Sequence, residues 1–179
     1  FNVPTLSSLQ PPHSPVLGGI FVSLFGSGLG MSHVIPYLAI ASVPCVTSVY
    51  VSDSSSKCLV SVGFGRALTI SASSLGQYGT LTRSFSYDNP NATVVVRDFG
   101  ASTGQLMMTI FGEDFGVSSR SVSANVGFSS SLFSVWASDS TILSRSVPGV
   151  GKRLRVFVTV DNLSASSQNL YSFQVPMVL

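Results

Sequence analysis

The sequence predicts an all-β protein made of two β-sandwiches in tandem. Short motifs recur at a constant offset of 86 residues, as from Ser48 to Ser134. Apolar and polar residues alternate along the predicted strands, and turn signals follow one another about every 8–12 residues. No segment shows sustained helical periodicity, so we predict no helix.

The repeat is carried by glycine, aromatic and Ser-Asp-Ser motifs that recur in the same order. Their clustering at one offset indicates a duplication rather than a bias in composition. The paired segments are Gly26–Gly30 with Gly112–Gly116, Ser48–Ser54 with Ser134–Ser140, Gly63–Gly65 with Gly149–Gly151, and Phe85–Pro90 with Tyr171–Pro176.

The same offset predicts the domain boundaries. Phe1–Pro4 matches Tyr87–Pro90, so residues 1–4 are expected to end a preceding repeat. The two full units are then residues 5–90 and residues 91–179. No Gly/Ser spacer follows Pro90, and the next strand is expected near Val94. Units joined this closely are expected to form a stiff, elongated rod.

Each unit is predicted to begin with strands such as Val94–Val96 and Leu106–Ile110. The glycine pairs at Gly26/Gly30 and Gly112/Gly116 then predict a tight bend that needs positive φ. Gly112 also lies at the turn signal that ends the second of these strands.

The middle of each unit predicts an aromatic plug and an acidic turn. Tyr50 and Trp136 are expected to fill the gap between the sheets. Asp53 and Asp139, each between serines, are expected to accept hydrogen bonds from nearby backbone amides in a turn. Their recurrence favours a structural role over a catalytic one.

The end of each unit predicts a strand pair. Leu68, Ile70 and Ala72 alternate with polar residues, as does the segment Leu154–Val160. The aromatic pairs Phe85/Tyr87 and Tyr171/Phe173 mark the closing strand.

The chain is unusually poor in charge. Charged residues make up 9% of the sequence, against about 25% in typical soluble domains. The net charge of +2 is too small to indicate a nucleic-acid partner. The basic cluster Lys152–Arg155 is interpreted as a solvated strand face, with an anionic glycan or lipid site as the alternative.

The high hydropathy does not indicate a membrane span. The most apolar stretch, Val16–Val46, is interrupted by glycines and prolines. It contains no run of the about 20 apolar residues that a spanning helix requires. We therefore expect no membrane insertion by this segment.

The two cysteines indicate an oxidising compartment. Cys45 and Cys58 lie in one unit, and the equivalent positions in the other are Ser131 and Ser144. Loss of both together favours a disulfide over two independent core thiols, and a persistent disulfide implies a secreted or surface location. A zinc site is poorly supported, because only two histidines could complete it.

Two sequons agree with this location. Asn91-Ala-Thr93 follows Pro90, and Asn162-Leu-Ser164 falls at a predicted hairpin turn. Both asparagines are expected to be exposed glycosylation sites.

A candidate interaction patch is present in the first unit alone. Its counterpart, residues 120–127, is more polar, so an apolar surface is expected only in the first unit. The alternative is burial against the proline-rich segment Pro11–Pro15, which is interpreted as a linker. The residues of the patch are Val34, Ile35, Tyr37, Leu38 and Ile40.

No catalytic constellation is predicted, and no cofactor. A Ser-His-Asp arrangement could draw only on His13 or His33, and neither recurs in the other unit. A calcium site is weakly supported, because the acidic residues near the junction lack Asp-x-Asp spacing. Those residues are Asp88, Asp98, Glu113 and Asp114.

Taken in order, these motifs resemble the IPT/TIG domain over the whole chain, twice. The resemblance rests on the glycine bend, the Cys-flanked aromatic-x-Ser-Asp segment, the Gly-x-Gly pair and the closing aromatic strand before proline. It implies an immunoglobulin-like (IPT/TIG-type) β-sandwich in an extracellular adhesive or structural setting, without an active site. The first unit departs from the family in having Tyr50 where tryptophan is usual, and the second lacks the cysteines. The charge-poor style is similar to that of algal flagellar and gamete-surface glycoproteins.

The leading hypothesis is therefore a structural or adhesive segment of a large surface glycoprotein. Its expected partners are neighbouring repeats, other surface proteins and extracellular glycans. One alternative is a receptor ectodomain that binds a specific protein ligand through the patch. Another is an accessory module of a polysaccharide-active enzyme.

Overall fold

A computed structural model describes residues 3–31, 34–118 and 121–174, with only the backbone described for residues 168–170. The chain divides into two compact units, Phe1–Asp88 (unit 1) and Asn89–Leu179 (unit 2). Every regular element in the described part of the chain is a β-strand, which confirms the predicted all-β class.

The described residues of unit 1 form nine strands. They are β1 (Thr5–Gln10), β2 (His13–Ser14), β3 (Phe21–Ser27), β4 (Tyr37–Ile40), β5 (Val43–Pro44), β6 (Thr47–Ser52), β7 (Ser55–Leu59), β8 (Leu68–Ser74) and β9 (Gln77–Tyr87).

In the described part of unit 2 the same nine strands recur in the same order. Each matches its counterpart at the offset of 86 residues, except that β13 starts one residue earlier. They are β10 (Asn91–Val96), β11 (Phe99–Gly100), β12 (Met107–Glu113), β13 (Val122–Val126), β14 (Ser129–Ser130), β15 (Phe133–Ser138), β16 (Thr141–Arg145), β17 (Leu154–Val160) and β18 (Leu163–Phe173).

Each unit is a two-sheet sandwich. In unit 1 a four-stranded sheet has the order β1-β3-β7-β6, and a five-stranded sheet has the order β2-β9-β8-β4-β5. Unit 2 has the orders β10-β12-β16-β15 and β11-β18-β17-β13-β14. The pairing is antiparallel except for β2 with β9 and β11 with β18, which are parallel. The two units therefore share one topology.

The proline-rich segment belongs to unit 1 and is not a linker. His13 and Ser14 pair with Ser86 and Tyr87 in the five-stranded sheet, whereas the preceding strand β1 pairs in the four-stranded sheet. Pro11 and Pro12 therefore lie where the chain passes from one sheet to the other. Such a crossing suits proline, which cannot donate a ladder hydrogen bond.

Alternation places one face of each strand in the core. In β17, Val156, Val158 and Val160 are fully buried, while Arg155 is exposed. In β8 the same parity buries Ile70 and Ala72. Since the side-chain period of a strand is two residues, these predicted inward positions follow directly from the sequence.

The largest fully buried side chains lie on the closing strands and in the glycine bend. They include Phe85 and Tyr171, which occupy equivalent positions, and Phe115. Tyr50 and Trp136 are half-buried, on the less exposed parity of their strands, and that they fill the gap between the sheets stays a prediction. Their strands β6 and β15 lie at sheet edges, where fewer neighbours cover a side chain.

The two glycines of each bend serve different purposes. Gly30 and Gly116 have φ of 126° and 93°, as predicted. Gly26 and Gly112 do not need positive φ. A Cβ there would collide with the carbonyl oxygen of Thr5 or Asn91 on the paired edge strand, so glycine is required for close approach.

The second unit begins its first strand earlier than predicted. β10 starts at Asn91, directly after Pro90, and not near Val94. A register shift between Ala92 and Val94 interrupts the pairing with β12. A bulge breaks the two-residue period of the side chains, so the alternation pattern does not identify the first residues of β10.

Candidate interaction surface

The disulfide predicted from the sequence is present in the structure. Cys45, directly after β5, is bonded to Cys58 on β7, with Cα atoms 5.5 Å apart. Cys58 is fully buried. The N–H of Cys45 donates to the carbonyl oxygen of Leu38 on β4 at 2.9 Å. Because β4 and β7 belong to different sheets, the bond ties the two layers of unit 1 together.

Unit 2 keeps this backbone without the cross-link. The N–H of Ser131 donates to the carbonyl oxygen of Ala124 at 2.8 Å, the same bond that Cys45 makes. Ser144 is fully buried, and its Oγ lies 3.2 Å from the Oγ of Ser134. The buried Ser131 hydroxyl has no hydrogen-bond partner in the part of the chain that is described. Ser144 therefore bonds to Ser134, and no side-chain hydrogen bond among the described residues joins it to Ser131 in place of the disulfide.

The repeated aspartates fasten the glycine bend. The N–H of Gly28 donates to Asp53 Oδ2 at 3.3 Å, and the N–H of Gly116 donates to Asp139 Oδ1 at 2.8 Å. Both carboxylates thus accept backbone hydrogen bonds, but from a bend far away in the sequence and not from their own turn. Within the turn, the flanking serines bond to each other and to the backbone. The geometry indicates a structural role.

Both sequon asparagines are exposed. Asn91 is the first residue of the edge strand β10, opposite Glu113. Asn162 lies in the turn between β17 and β18. The Oγ of Ser164, in the second sequon, lies 3.1 Å from the Oγ1 of Thr159. Glycosylation of either asparagine stays a prediction.

The structure splits the predicted patch. Ile35 and Tyr37 are 67% and 53% exposed, and Val34 is half-buried. Leu38 and Ile40 are core residues, so their assignment to a surface patch is wrong. Alternation along β4 explains the difference, because these two residues share the inward parity while Tyr37 faces solvent. The apolar counterparts of the two core residues in unit 2, Ala124 and Val126, were a signal for this.

The exposed tyrosine has a second aromatic neighbour across the sheet. Tyr37 pairs with Ser73 on β8, and Ser73 pairs with Tyr78 on β9. Directly paired residues on adjacent antiparallel strands lie on the same face of a sheet. Tyr78 is 70% exposed. We call Tyr37, Ser73 and Tyr78 the tyrosine row. The sequence analysis missed Tyr78, because only the strand register brings it beside Tyr37.

Unit 2 has a hydroxyl row at the equivalent positions. Ser123 on β13 pairs with Thr159 on β17, and Thr159 pairs with Ser164 on β18. The second sequon therefore ends on this row. At these three positions of the five-stranded sheet, unit 1 is aromatic where unit 2 carries only hydroxyl groups.

The side chains considered for metal binding and catalysis are dispersed in the described residues. No group of three or more His, Cys, Asp or Glu side chains gathers within residues 3–31, 34–118 and 121–174, and this range includes the four carboxylates considered for calcium. His13 Nδ1 lies 2.9 Å from Asp88 Oδ1 on the surface. His33 lies outside the described residues. Lys152, Arg153 and Arg155 are exposed, as expected for a solvated strand end.

A helix able to cross a membrane is also absent from the portion of the chain that is described. This finding concerns this segment only.

Sequence comparison decides the family. The profile of the IPT/TIG domain matches residues 4–87 and again residues 90–175. The chain belongs to the IPT/TIG family. Its two IPT/TIG domains correspond to the two sandwiches described above. No match is found among curated protein sequences.

Comparison with solved structures finds similar chains at low identity. The surface glycan-binding protein PbSGBP-B from Prevotella bryantii matches with a TM-score of 0.59 and 13% identity, over 96% of this chain and 42% of that one. The full extracellular region of plexin A4 matches with a TM-score of 0.45 and 16% identity, over 96% and 18%. The adhesin InvE of Yersinia pseudotuberculosis matches with a TM-score of 0.48 and 9% identity, over 98% and 64%. The IPT/TIG pair thus spans less than two thirds of each, and at these identities the likeness concerns the fold alone.

Proposed function

We propose that this chain is a non-catalytic structural or adhesive segment of a large extracellular surface glycoprotein. The observation that carries the proposal is the repetition of one complete IPT/TIG unit in register, strand for strand. Repeated sandwiches that differ mainly on their surfaces suit a role in spacing and contact. Neighbouring repeats, other surface proteins and extracellular glycans are the expected partners.

The disulfide supports an extracellular location. A disulfide that links the two sheets of a domain persists in oxidising compartments and is rare in the cytosol. The exposed sequon asparagines Asn91 and Asn162 agree with passage through the secretory pathway. The charge-poor surface, solvated by hydroxyl groups, is typical of a coat or a stalk, and we place the parent protein on a flagellum or gamete surface.

The proposal extends to this chain the surface setting that the name of PbSGBP-B describes. Its name describes a surface glycan-binding protein, and its fold matches this chain with a TM-score of 0.59. The tandem architecture here is suited to the same kind of exposed position.

Antibodies raised against this chain test the proposal. They are expected to label intact cells of the source organism as strongly as permeabilised cells, and an enzyme that removes N-linked glycans should lower the mass of the captured protein. An antibody to a cytosolic protein serves as the permeability control. Labelling only after permeabilisation would contradict the extracellular location.

Electron microscopy tests the structural part. Negative-stain images of a longer stretch of the parent chain are expected to show a beaded rod, since directly joined repeats contact mainly their neighbours. A compact globule would contradict it.

A further inference from the structure

We propose that the tyrosine row of unit 1 binds a neutral glycan, with Tyr37 and Tyr78 as the two stacking residues. This inference rests on the proposed surface role and gives it a ligand class and a site. It extends beyond the predicted patch, because Tyr78 and Ser73 come from strands far from Tyr37 in the sequence.

The strand register sets the geometry of the row. Tyr37 on β4 and Tyr78 on β9 flank β8, so their Cβ atoms are about 10 Å apart, twice the spacing of neighbouring strands. Ser73 lies between them, and its small side chain leaves space for a ligand between the two rings. This separation exceeds the width of one sugar ring, so an oligosaccharide would contact both tyrosines.

The chemistry of the row fits a sugar. One face of a pyranose ring is made of C–H groups that stack on aromatic rings, while its hydroxyl groups need polar partners. Here the tyrosines supply rings and phenolic hydroxyls, and Ser73 supplies a further hydroxyl. The next paired row, Ala39, Ser71 and Thr80, is uncharged as well. These two rows carry no charged side chain to pair with an acidic glycan and thus suit a neutral one.

Exposure of the rings supports ligand binding over packing. Tyr37 and Tyr78 are 53% and 70% exposed, and Ile35, two residues before Tyr37 in the chain, is 67% exposed. Large apolar side chains gathered on one face are costly in water unless they serve a contact. Tyrosine is also enriched where proteins contact ligands, because it combines a rigid ring with a polar end.

The second unit lacks the tyrosine row. The positions equivalent to Tyr37 and Tyr78 in unit 2 are Ser123 and Ser164. The two units share one topology, so the fold itself does not require tyrosine at these positions.

The test exchanges the tyrosines for the residues that unit 2 carries. The purified chain, a Tyr37→Ser/Tyr78→Ser variant and a Tyr37→Phe/Tyr78→Phe variant are titrated against neutral polysaccharides by affinity electrophoresis and against their oligosaccharides by calorimetry. The probes are a β-1,4-glucan, a β-1,3-glucan and a mannan. We expect the serine variant to lose more than about tenfold in affinity. The phenylalanine variant should keep most of the binding, since it keeps the rings.

Two controls keep the result interpretable. Phe128→Ser removes a fully exposed aromatic residue of unit 2 and should leave binding unchanged. Thermal melting should be the same for all variants, because the two tyrosines are on the surface. If the serine variant loses both its glycan binding and its folded state, the phenylalanine variant decides the result. That variant must then still bind the glycan.

Three outcomes would overturn the inference. They are no binding of the unaltered chain to any of the three polysaccharides, equal binding by the serine variant, and loss of self-association by the serine variant with glycan affinity unchanged. The last would make the row a protein contact. None of them would affect the surface labelling that tests the proposed function.

Discussion

Tyr87 and Phe173 occupy the same position in the two units and differ by one hydroxyl group. Each ring packs edge-to-face against an aromatic residue two positions earlier, with centroids 5.2 Å apart for Phe85 and Tyr87 and 5.1 Å apart for Tyr171 and Phe173. The Tyr87 hydroxyl donates to the carbonyl oxygen of Ser61 at 2.9 Å. Burial raises the pKa of the Tyr87 phenol above its ordinary value. The repeat therefore contains a natural comparison for one buried hydroxyl group.

Tyr87→Phe is expected to destabilise unit 1 by about 1 kcal/mol at pH 8, because the carbonyl of Ser61 loses its donor. Above about pH 10 the unfolded phenol loses its proton before the folded one. The stability supplied by the raised pKa is thus complete below pH 10 and declines as the pH rises further. The Tyr87→Phe variant has no phenol at this position and lacks this decline. The difference in free energy of unfolding between the unaltered chain and the variant should therefore be smaller at pH 10.5 than at pH 8.

Urea unfolding at both pH values measures this difference, with Tyr78→Phe as the control for an exposed tyrosine. An equal loss of stability at both pH values would show that the Tyr87 phenol does not couple to folding.

At the scale of elements, the connection from β5 to β6 and the strand β7 make the same backbone hydrogen bond as their counterparts in unit 2. Those counterparts are the connection from β14 to β15 and the strand β16, although only unit 1 carries a disulfide. The N–H of Val46 donates to the carbonyl of Leu59, and the N–H of Leu132 donates to that of Arg145, both at 2.9 Å. The cross-link is therefore an addition to this substructure and does not define it.

Ser131→Cys/Ser144→Cys is expected to form a disulfide in unit 2 and to stabilise it by roughly 3 kcal/mol, from the entropy of closing a loop of this size. The change also removes the Ser131 hydroxyl, which is buried without a partner among the described residues. Mass spectrometry under non-reducing conditions detects the bond, and unfolding with and without reductant measures its effect.

The single variants Ser131→Cys and Ser144→Cys are the matched controls. A double variant that remains a dithiol under oxidising conditions would show that the two backbones differ more than their hydrogen bonds indicate.

At the scale of the whole molecule, each unit has its own buried core and its own pair of sheets. Domains with separate cores unfold as separate cooperative units when few interactions join them. Only unit 1 contains a disulfide, so reduction distinguishes the two.

Calorimetry is expected to show two transitions, of which one shifts on reduction. Loss of roughly 3 kcal/mol should lower the Tm of unit 1 by about 12–24 °C, given the entropy of unfolding of a domain of this size. The transition of unit 2 should not move. Cys45→Ser/Cys58→Ser should reproduce the shift without reductant. A single transition that moves as a whole would show that the units unfold together.

The sequence by itself determined what depends on short-range order. Alternation in Leu154–Val160 identified the inward side chains, and the constant offset identified two copies of one unit. Both Cys45 and Cys58 have serine at the equivalent positions of the second unit, and this identified the disulfide between them. These features could be predicted because the period of a strand and the register of a duplication are written along the chain.

Only the tertiary structure decided what depends on strand pairing. It placed Tyr78 beside Tyr37 and put Leu38 and Ile40 in the core. It also brought the Asp53 carboxylate to the N–H of Gly28, 25 residues earlier in the chain. It also made the proline-rich segment a sheet crossing. Such contacts follow from which strands become neighbours and in what register, and no local pattern records that choice.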